Sequence, residues 1–180
     1  YRLKRTEDRG GVVDGVFVTR EGRGRTGPVT KSVTEQMNLL LTVREFTTAW
    51  SQGGRDEVLD FATSDLREVL DALPPAYLQQ LTAEYVKESG GRSSRPEARI
   101  TDEHALVMLS RGRGRLILDL EFEDEQWRVS DVSVESGDGE DRPSVRETAR
   151  ALQVASEFLN AYAGADRNGL ARLCSARFYD

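Results

Sequence analysis

The chain predicts an α+β fold in which helices come first and an antiparallel sheet follows. Two patterns carry this expectation. Apolar residues recur at helical spacing through Leu39, Val43, Phe46 and Trp50, and the period falls to two where Leu116, Leu118, Leu120 and Phe122 alternate with Ile117, Asp119 and Glu121. A third observation sets the organisation. Ser32-Val33-x-Glu35 returns as Ser144-Val145-x-Glu147, 112 positions later, and that offset continues without a gap. It places Leu40 against Leu152, Glu45-Phe46 against Glu157-Phe158, Ala49-Trp50 against Ala161-Tyr162, Arg55 against Arg167, and Val58 and Phe61 against Leu170 and Leu173. Solenoid periods run to about 20–50 residues, so a longer one indicates a duplicated domain. The expected organisation is an N-terminal tail and strand over 1–29, a complete unit over 30–136, a linker over 137–143, and over 144–180 the helical start of a second, incomplete copy.

Taken in order, residues 1–11 are polar and basic and read as a tail. Val12 to Val18 is a β-branched run and predicts a strand, added to a sheet edge, that loosely echoes Val129 to Val134. Glu21 to Pro28, rich in Gly and Arg, is a loop. Ser32 and Glu35 form a capping box, in which hydroxyl and carboxylate each take the other residue's amide. The helix after it carries Leu39, Val43, Phe46 and Trp50, with Met37, Leu40 and Ala49 widening the stripe, and Gly53-Gly54 ends it. Asp56 caps a second helix through Val58, Leu59 and Phe61. Ser64 or Asp65 starts a third, with Leu66, Val69, Leu70 and Leu73. Pro75 suits the first turn of a fourth, which carries Tyr77, Leu78, Leu81 and Tyr85 on one face. Ser89 to Pro96 is loop. Leu106 to Leu109 is a strand, Arg111 to Arg115 a glycine-bearing hairpin, and Leu116 to Phe122 a strand with one buried face against Val43, Phe46 and Trp50. After a turn at Glu123 to Gln126, Trp127 and Val129, then Val132 and Val134, make the last strand. The change of parity at Ser130-Asp131 predicts a bulge.

Composition narrows the function classes. With 38% hydrophobic and 31% charged residues the chain is of the soluble globular type, and no apolar run approaches the roughly 18 residues of a membrane span. A net charge of −6 argues against a nucleic-acid surface. The single cysteine, Cys174, excludes an internal disulfide framework and a cysteine zinc site, and the single histidine excludes a histidine-rich one. Lys4, Lys31 and Lys87 are the only lysines among 25 basic residues, a bias expected of a GC-rich bacterial genome. Tyr1-Arg2-Leu3-Lys4-Arg5 suits a stretch following a membrane anchor, which leans the placement toward the cell envelope.

A capping-box helix, a proline-started helix and long strands ending in Trp127-Arg128-Val129-Ser130-Asp131-Val132 together resemble the nuclear transport factor 2-like (cystatin-like) roll. In that superfamily a bent sheet wraps around the helices, and a W-[RK]-[VI]-x-D-[VI] ending on the final strand is common. The resemblance spans roughly Thr30 to Glu135 and resumes at Ser144. It implies a fold and not an activity, since members include dehydratases, isomerases, ligand-binding proteins and assembly modules.

The enzymatic type needs an acid or base desolvated inside the pocket. The inward face of the clearest strand is aliphatic, and Asp119 and Glu121 point away from it. Five residues remain as candidates for ligand binding. Asp131 stands in the bulge, where its carboxylate either reaches a pocket or satisfies the amides the bulge opens. His104 stands among Thr101-Asp102-Glu103, as a half-exposed turn residue or a titrating group. Tyr77, Tyr85 and Trp50, and beside these five Trp127, either line a cavity with polar tips or fill the core. Arg23-Gly24-Arg25 and Arg111 to Arg115 lack the interleaved aromatics of a nucleic-acid segment, and no phosphate-binding loop is present. No catalytic constellation, metal set or cofactor motif is found, so no enzyme activity and no cofactor is expected. Leu152, Phe158, Leu159, Tyr162, Leu170 and Phe178 form helical faces with no strands after them, which marks 144–180 as a surface for a partner protein or self-association. The reading is a non-catalytic interaction and assembly module; the alternative is a small-molecule-binding protein or enzyme with a pocket between helices and sheet.

Overall fold

The computed structural model describes residues 2–6, 10–20, 29–52, 54–86, 96–111, 114–135 and 142–179. Where the sequence reads as tail, β1 (Arg2–Thr6) pairs antiparallel with β2 (Gly10–Gly15). A second hairpin joins β3 (Phe17–Arg20) to β4 (Val29–Ser32). The strand expected from Val12 to Val18 is therefore two strands, broken at Val16. The cause is local: the Val16 carbonyl accepts the Val33 amide at 2.7 Å and its amide donates to the Thr34 hydroxyl at 2.9 Å, so neither group serves a ladder. Among the described residues neither hairpin pairs with the main sheet, contrary to the expected edge addition. The loop expected over 21–28 lies outside the described residues, as do most of the loop over 89–96 and most of the linker.

The first helix, α1 (Val33–Gln52), starts where the capping signature places it, with Ser32 Oγ accepting the Glu35 amide at 3.1 Å. It buries Leu39, Val43, Phe46, Ala49 and Trp50. Met37 is 58% exposed, so the apolar stripe is narrower than expected; two residues before Leu39, it lies about 200° around the helix. Next come α2 (Arg55–Asp60), capped by Gly54 rather than Asp56, and α3 (Ser64–Asp71), where Thr63 Oγ1 accepts the Leu66 amide. Helix α4 (Pro75–Val86) buries Leu78, Leu81 and Tyr85. Tyr77 departs from that face and is exposed. The anchor of α4 on α1 lies more than a turn further on, where Trp50 Nε1 donates to the Thr82 carbonyl at 3.4 Å.

The sheet is an antiparallel meander in chain order: β5 (Glu97–Ile100), β6 (His104–Arg111), β7 (Gly114–Glu123) and β8 (Gln126–Glu135). Four residues are too few for Glu-Ala-Arg-Ile to show a period, so the sequence pattern does not mark β5. Asp124 and Glu125 close the β7–β8 turn with φ of 52° and 62°. Both central residues are left-handed, which matches the twist of the flanking strands. Asp119 faces Asp131 but Leu120 faces Val129, which leaves Ser130 as the extra residue of the expected bulge. The bulge lets Trp127 and Val129 bury with Val132 and Val134 despite the change of parity.

The core lies between this sheet and the helices, with α1 and α3 packed on β8. Leu116, Leu118 and Leu120 are buried in it as expected. Phe122 is not, at 46% exposure. Its register partner Trp127 takes the interior place at the end of the ladder, and Phe122 rests edge-on against it with centroids 5.2 Å apart. The chain closes with α5 (Val145–Ala163), α6 (Arg167–Leu173) and α7 (Ala176–Tyr179). The architecture is α+β, helices on a four-stranded antiparallel sheet.

Leu118 is fully buried, so Leu118→Ala should cost about 2–5 kcal/mol in urea unfolding. Phe122→Ala should cost clearly less, because its ring is already half in water. Equal losses at the two sites would contradict this core.

Candidate functional site

Asp131 is 8% exposed and its carboxylate is used by the backbone. Oδ1 accepts the Val132 amide at 2.8 Å and the Arg146 amide at 3.0 Å, and Oδ2 lies 3.5 Å from Arg146 Nε. The first bond satisfies an amide beside the bulge; the second sets a negative charge at the N-terminus of α5, where the helix dipole favours it. The Ser144–Glu147 capping box completes that terminus, with amide-to-side-chain bonds of 3.2 and 3.0 Å. Tyr85 approaches from α4. Its hydroxyl donates to the Pro143 carbonyl and lies 3.4 Å from Thr148 Oγ1, and burial pushes the phenol pKa above its usual value.

Two of the five candidate ligand residues thus meet, but as a clamp on the start of α5. The other three lie elsewhere. His104 is exposed at the start of β6, where its carbonyl accepts both the amide and the hydroxyl of Thr101 at 2.8 Å. Trp50 is inside the core against Phe46, with centroids 5.2 Å apart, and Tyr77 faces solvent. Sequence reasoning missed two members of the clamp, Asp119 and Arg146. Asp119 faces Asp131 across the ladder, and burial first, then the Asp131 charge, raise its carboxyl pKa above 3.8 against the pull of Arg146.

A groove of about 650 Å³ runs between α1, Phe61 and the β7–β8 turn, lined by Leu41, Glu45, Phe61, Phe122, Trp127 and Arg128. It contains none of the five candidates. The Arg128 guanidinium donates to the Asp60 carbonyl at 2.8 Å, and the buried Trp127 Nε1 has no protein partner. Among the described residues no cluster of His, Cys, Asp or Glu could hold a metal ion, and no helix is long and apolar enough to cross a membrane.

The expected partner surface divides in two. The first half of α5 packs on α3 and β8, with Val145 and Ala149 fully buried. Leu152 is half-buried and packs on the same core, so only part of its side chain is open to a partner. The far half differs. Tyr162, Phe178 and Leu159 are 69%, 70% and 58% exposed, while Phe158 and Leu170 are half-buried. Phe158 stacks on Tyr162 at 6.3 Å and meets the edge of Phe178 at 5.9 Å. Asp166 holds the helix pair in place: it caps α6 through the amides of Asn168 and Gly169.

No family model matches the chain, and no curated protein does. Among solved structures it is similar to a domain of unknown function with a cystatin-like fold from Nostoc punctiforme, at 11% identity and a TM-score of 0.41. That likeness covers 75% of this chain and 94% of the other.

Asp131→Ala would leave the Val132 and Arg146 amides without their acceptor, so a loss of about 1–3 kcal/mol is expected in denaturant unfolding. Hydrogen exchange should quicken first at the start of α5. Asp119 carries the opposite sign. Its raised folded-state pKa means that the protonated form is the one folding favours, so its stabilisation is present below pH 3.8 and lost as pH rises through the folded-state value. Asp119→Asn should therefore melt a few degrees higher than the parent at pH 7, with the gap closing as pH falls below 3.8. A gap that is independent of pH would contradict the burial of this carboxylate.

Proposed function

We propose that this chain is a non-catalytic interaction module, a nuclear transport factor 2-like roll that docks into a larger bacterial assembly at the cell envelope. The aromatic face of α5–α7 is its partner surface. One observation carries the reading: Leu159 and Tyr162 at the far end of α5 and Phe178 on α7 remain uncovered beside half-buried Phe158, while the other end of α5 is clamped by Asp131. At about 25 cal/mol per Å² of apolar surface, leaving such a set in water forgoes several kcal/mol, and exposed apolar patches of this kind mark interaction sites. The 112-residue offset adds support. Helices α1, α2 and α3 begin at Val33, Arg55 and Ser64, and α5, α6 and α7 at Val145, Arg167 and Ala176. At that offset Phe158, Tyr162 and Phe178 stand where Phe46, Trp50 and Leu66 fill the core. The bacterial part of the proposal rests on arginine usage, and the envelope part on the basic stretch Arg2-Leu3-Lys4-Arg5.

A second reading, a small-molecule binder, is favoured only by the groove at Phe122 and Trp127, whose buried Nε1 lacks an acceptor. A melting-temperature screen against metabolites addresses it, since a tight ligand must raise the transition by mass action.

Replacing both Tyr162 and Phe178 by Glu tests the first reading. Both side chains are mostly in water, so the melting temperature should hold within the range of about 0.5 kcal/mol of an ordinary surface change. The assembly mass should fall, read by light scattering on the purified chain and by native electrophoresis of extracts from the producing cell. An unchanged mass in both measurements would end the proposal.

A further inference from the structure

We infer that the groove beside α1 binds a small organic ammonium ligand that also carries an oxygen acceptor; this rests on the second reading above, that the groove holds a ligand. Trp127 is the first observation. It is 4% exposed and lines the groove, and its Nε1 is closed to water yet has no acceptor. Folded chains leave few buried N–H groups unmet, so one in the wall of a groove is a place for an incoming oxygen. The other tryptophan shows the contrast: Trp50, equally buried, donates its Nε1–H to the Thr82 carbonyl at 3.4 Å. The groove volume of about 650 Å³ falls within the roughly 300–1,000 Å³ of small-molecule sites. Phe122 governs access to the indole. It is the register partner of Trp127, lies edge-on to it at 5.2 Å, and is 46% exposed. It stands outside the core cluster, so its ring can change rotamer without opening the interior. A ligand that turns it aside meets the N–H.

Charge sets the rest of the ligand. Glu35, Glu45 and Glu125 line the groove, and among the described residues no cation pairs with any of them. The remaining acid of the lining, Asp60, is paired with Arg67 at 2.9 Å. Arg128 is the basic residue of the lining, and its guanidinium already donates to the Asp60 carbonyl at 2.8 Å. An anionic ligand would therefore enter against three uncompensated carboxylates. An ammonium group is attracted by the same three, and the ring faces of Phe61 and Phe122 favour a cation as well. A ligand with an apolar body, a positive head and one oxygen acceptor satisfies rings, acids and orphan donor together.

The test uses the full ¹⁵N-labelled chain, whose two tryptophans give two indole N–H signals in NMR spectra. Trp127→Phe assigns them, or Trp50→Phe where the first variant does not fold. Three probes of one shape are titrated to millimolar concentration: acetylcholine, with charge and oxygen; pentyltrimethylammonium, with charge alone; and 3,3-dimethylbutyl acetate, with oxygen alone. Acetylcholine should move the Trp127 signal and leave that of Trp50 in place. Each of the other two should bind roughly tenfold more weakly, the loss of about 1.4 kcal/mol. Glu45→Gln, at an exposed and unpaired site, should weaken acetylcholine several-fold with the melting temperature unchanged. Phe122→Ala should quicken hydrogen exchange at the Trp127 indole about tenfold. Unchanged exchange in that variant would overturn the inference, and so would equal binding of acetylcholine and either partial probe. If none of the probes binds while a neutral or anionic metabolite from the melting screen moves the Trp127 signal, the ligand class is wrong and the second reading stands. If neither probes nor screened metabolites move it, both fail.

Discussion

The Asp131 carboxylate, placed by the bulge at Ser130, is the interaction on which the arrangement depends. Without the extra residue, the period of two would turn Trp127 and Val129 to one face and Val132 and Val134 to the other. With it, both halves of β8 feed the same core. The bulge costs a ladder amide, and the carboxylate replaces the lost partner while taking a second amide from α5. The edge of β8 next to the bulge serves the α2–α3 connection through Val129. Sheet, helical layer and terminal helix therefore meet along a few residues of one strand.

Burying a carboxylate there has a cost, which appears on its neighbour. Asp119 faces Asp131 across the ladder, and burial first, then the Asp131 charge, push its carboxyl pKa up. Arg146, which α5 brings in, offsets part of it. The clamp is thus reciprocal: Asp131 stabilises the start of α5, and α5 supplies the charge that makes the acidic pair tolerable. A second cross-link stiffens the opposite corner, where the Glu123 carboxylate accepts the amide and hydroxyl of Ser64 and is held below the usual carboxylate range by those bonds.

The division of α5 gives the molecule its polarity. One end is fixed by the capping box, Asp131, Tyr85 and fully buried Val145 and Ala149; the other carries the aromatic set into water. A rigid base beneath an uncovered aromatic face leaves little conformational freedom to be lost on binding, which is what the proposed docking role requires. Two of the residues that the sequence offers as ligand groups, Asp131 and Tyr85, are consumed in building that base.

What the sequence determined by itself is whatever depends on neighbours along the chain: the helix starts at Ser32 and Ser144, the proline start of α4, the helical and two-fold periods, and the bulge parity. These follow from short-range hydrogen bonding and from the geometry of one element. The tertiary structure alone decided which member of a cross-strand pair is inside, burying Trp127 and leaving Phe122 out, and which side of α1 is covered, leaving Met37 in water. It alone brought Asp119, Asp131 and Arg146 together and packed half-buried Leu152 against the core. Register and packing between distant segments set those outcomes, and a carboxylate's role follows from which amides reach it, which no spacing along the chain encodes.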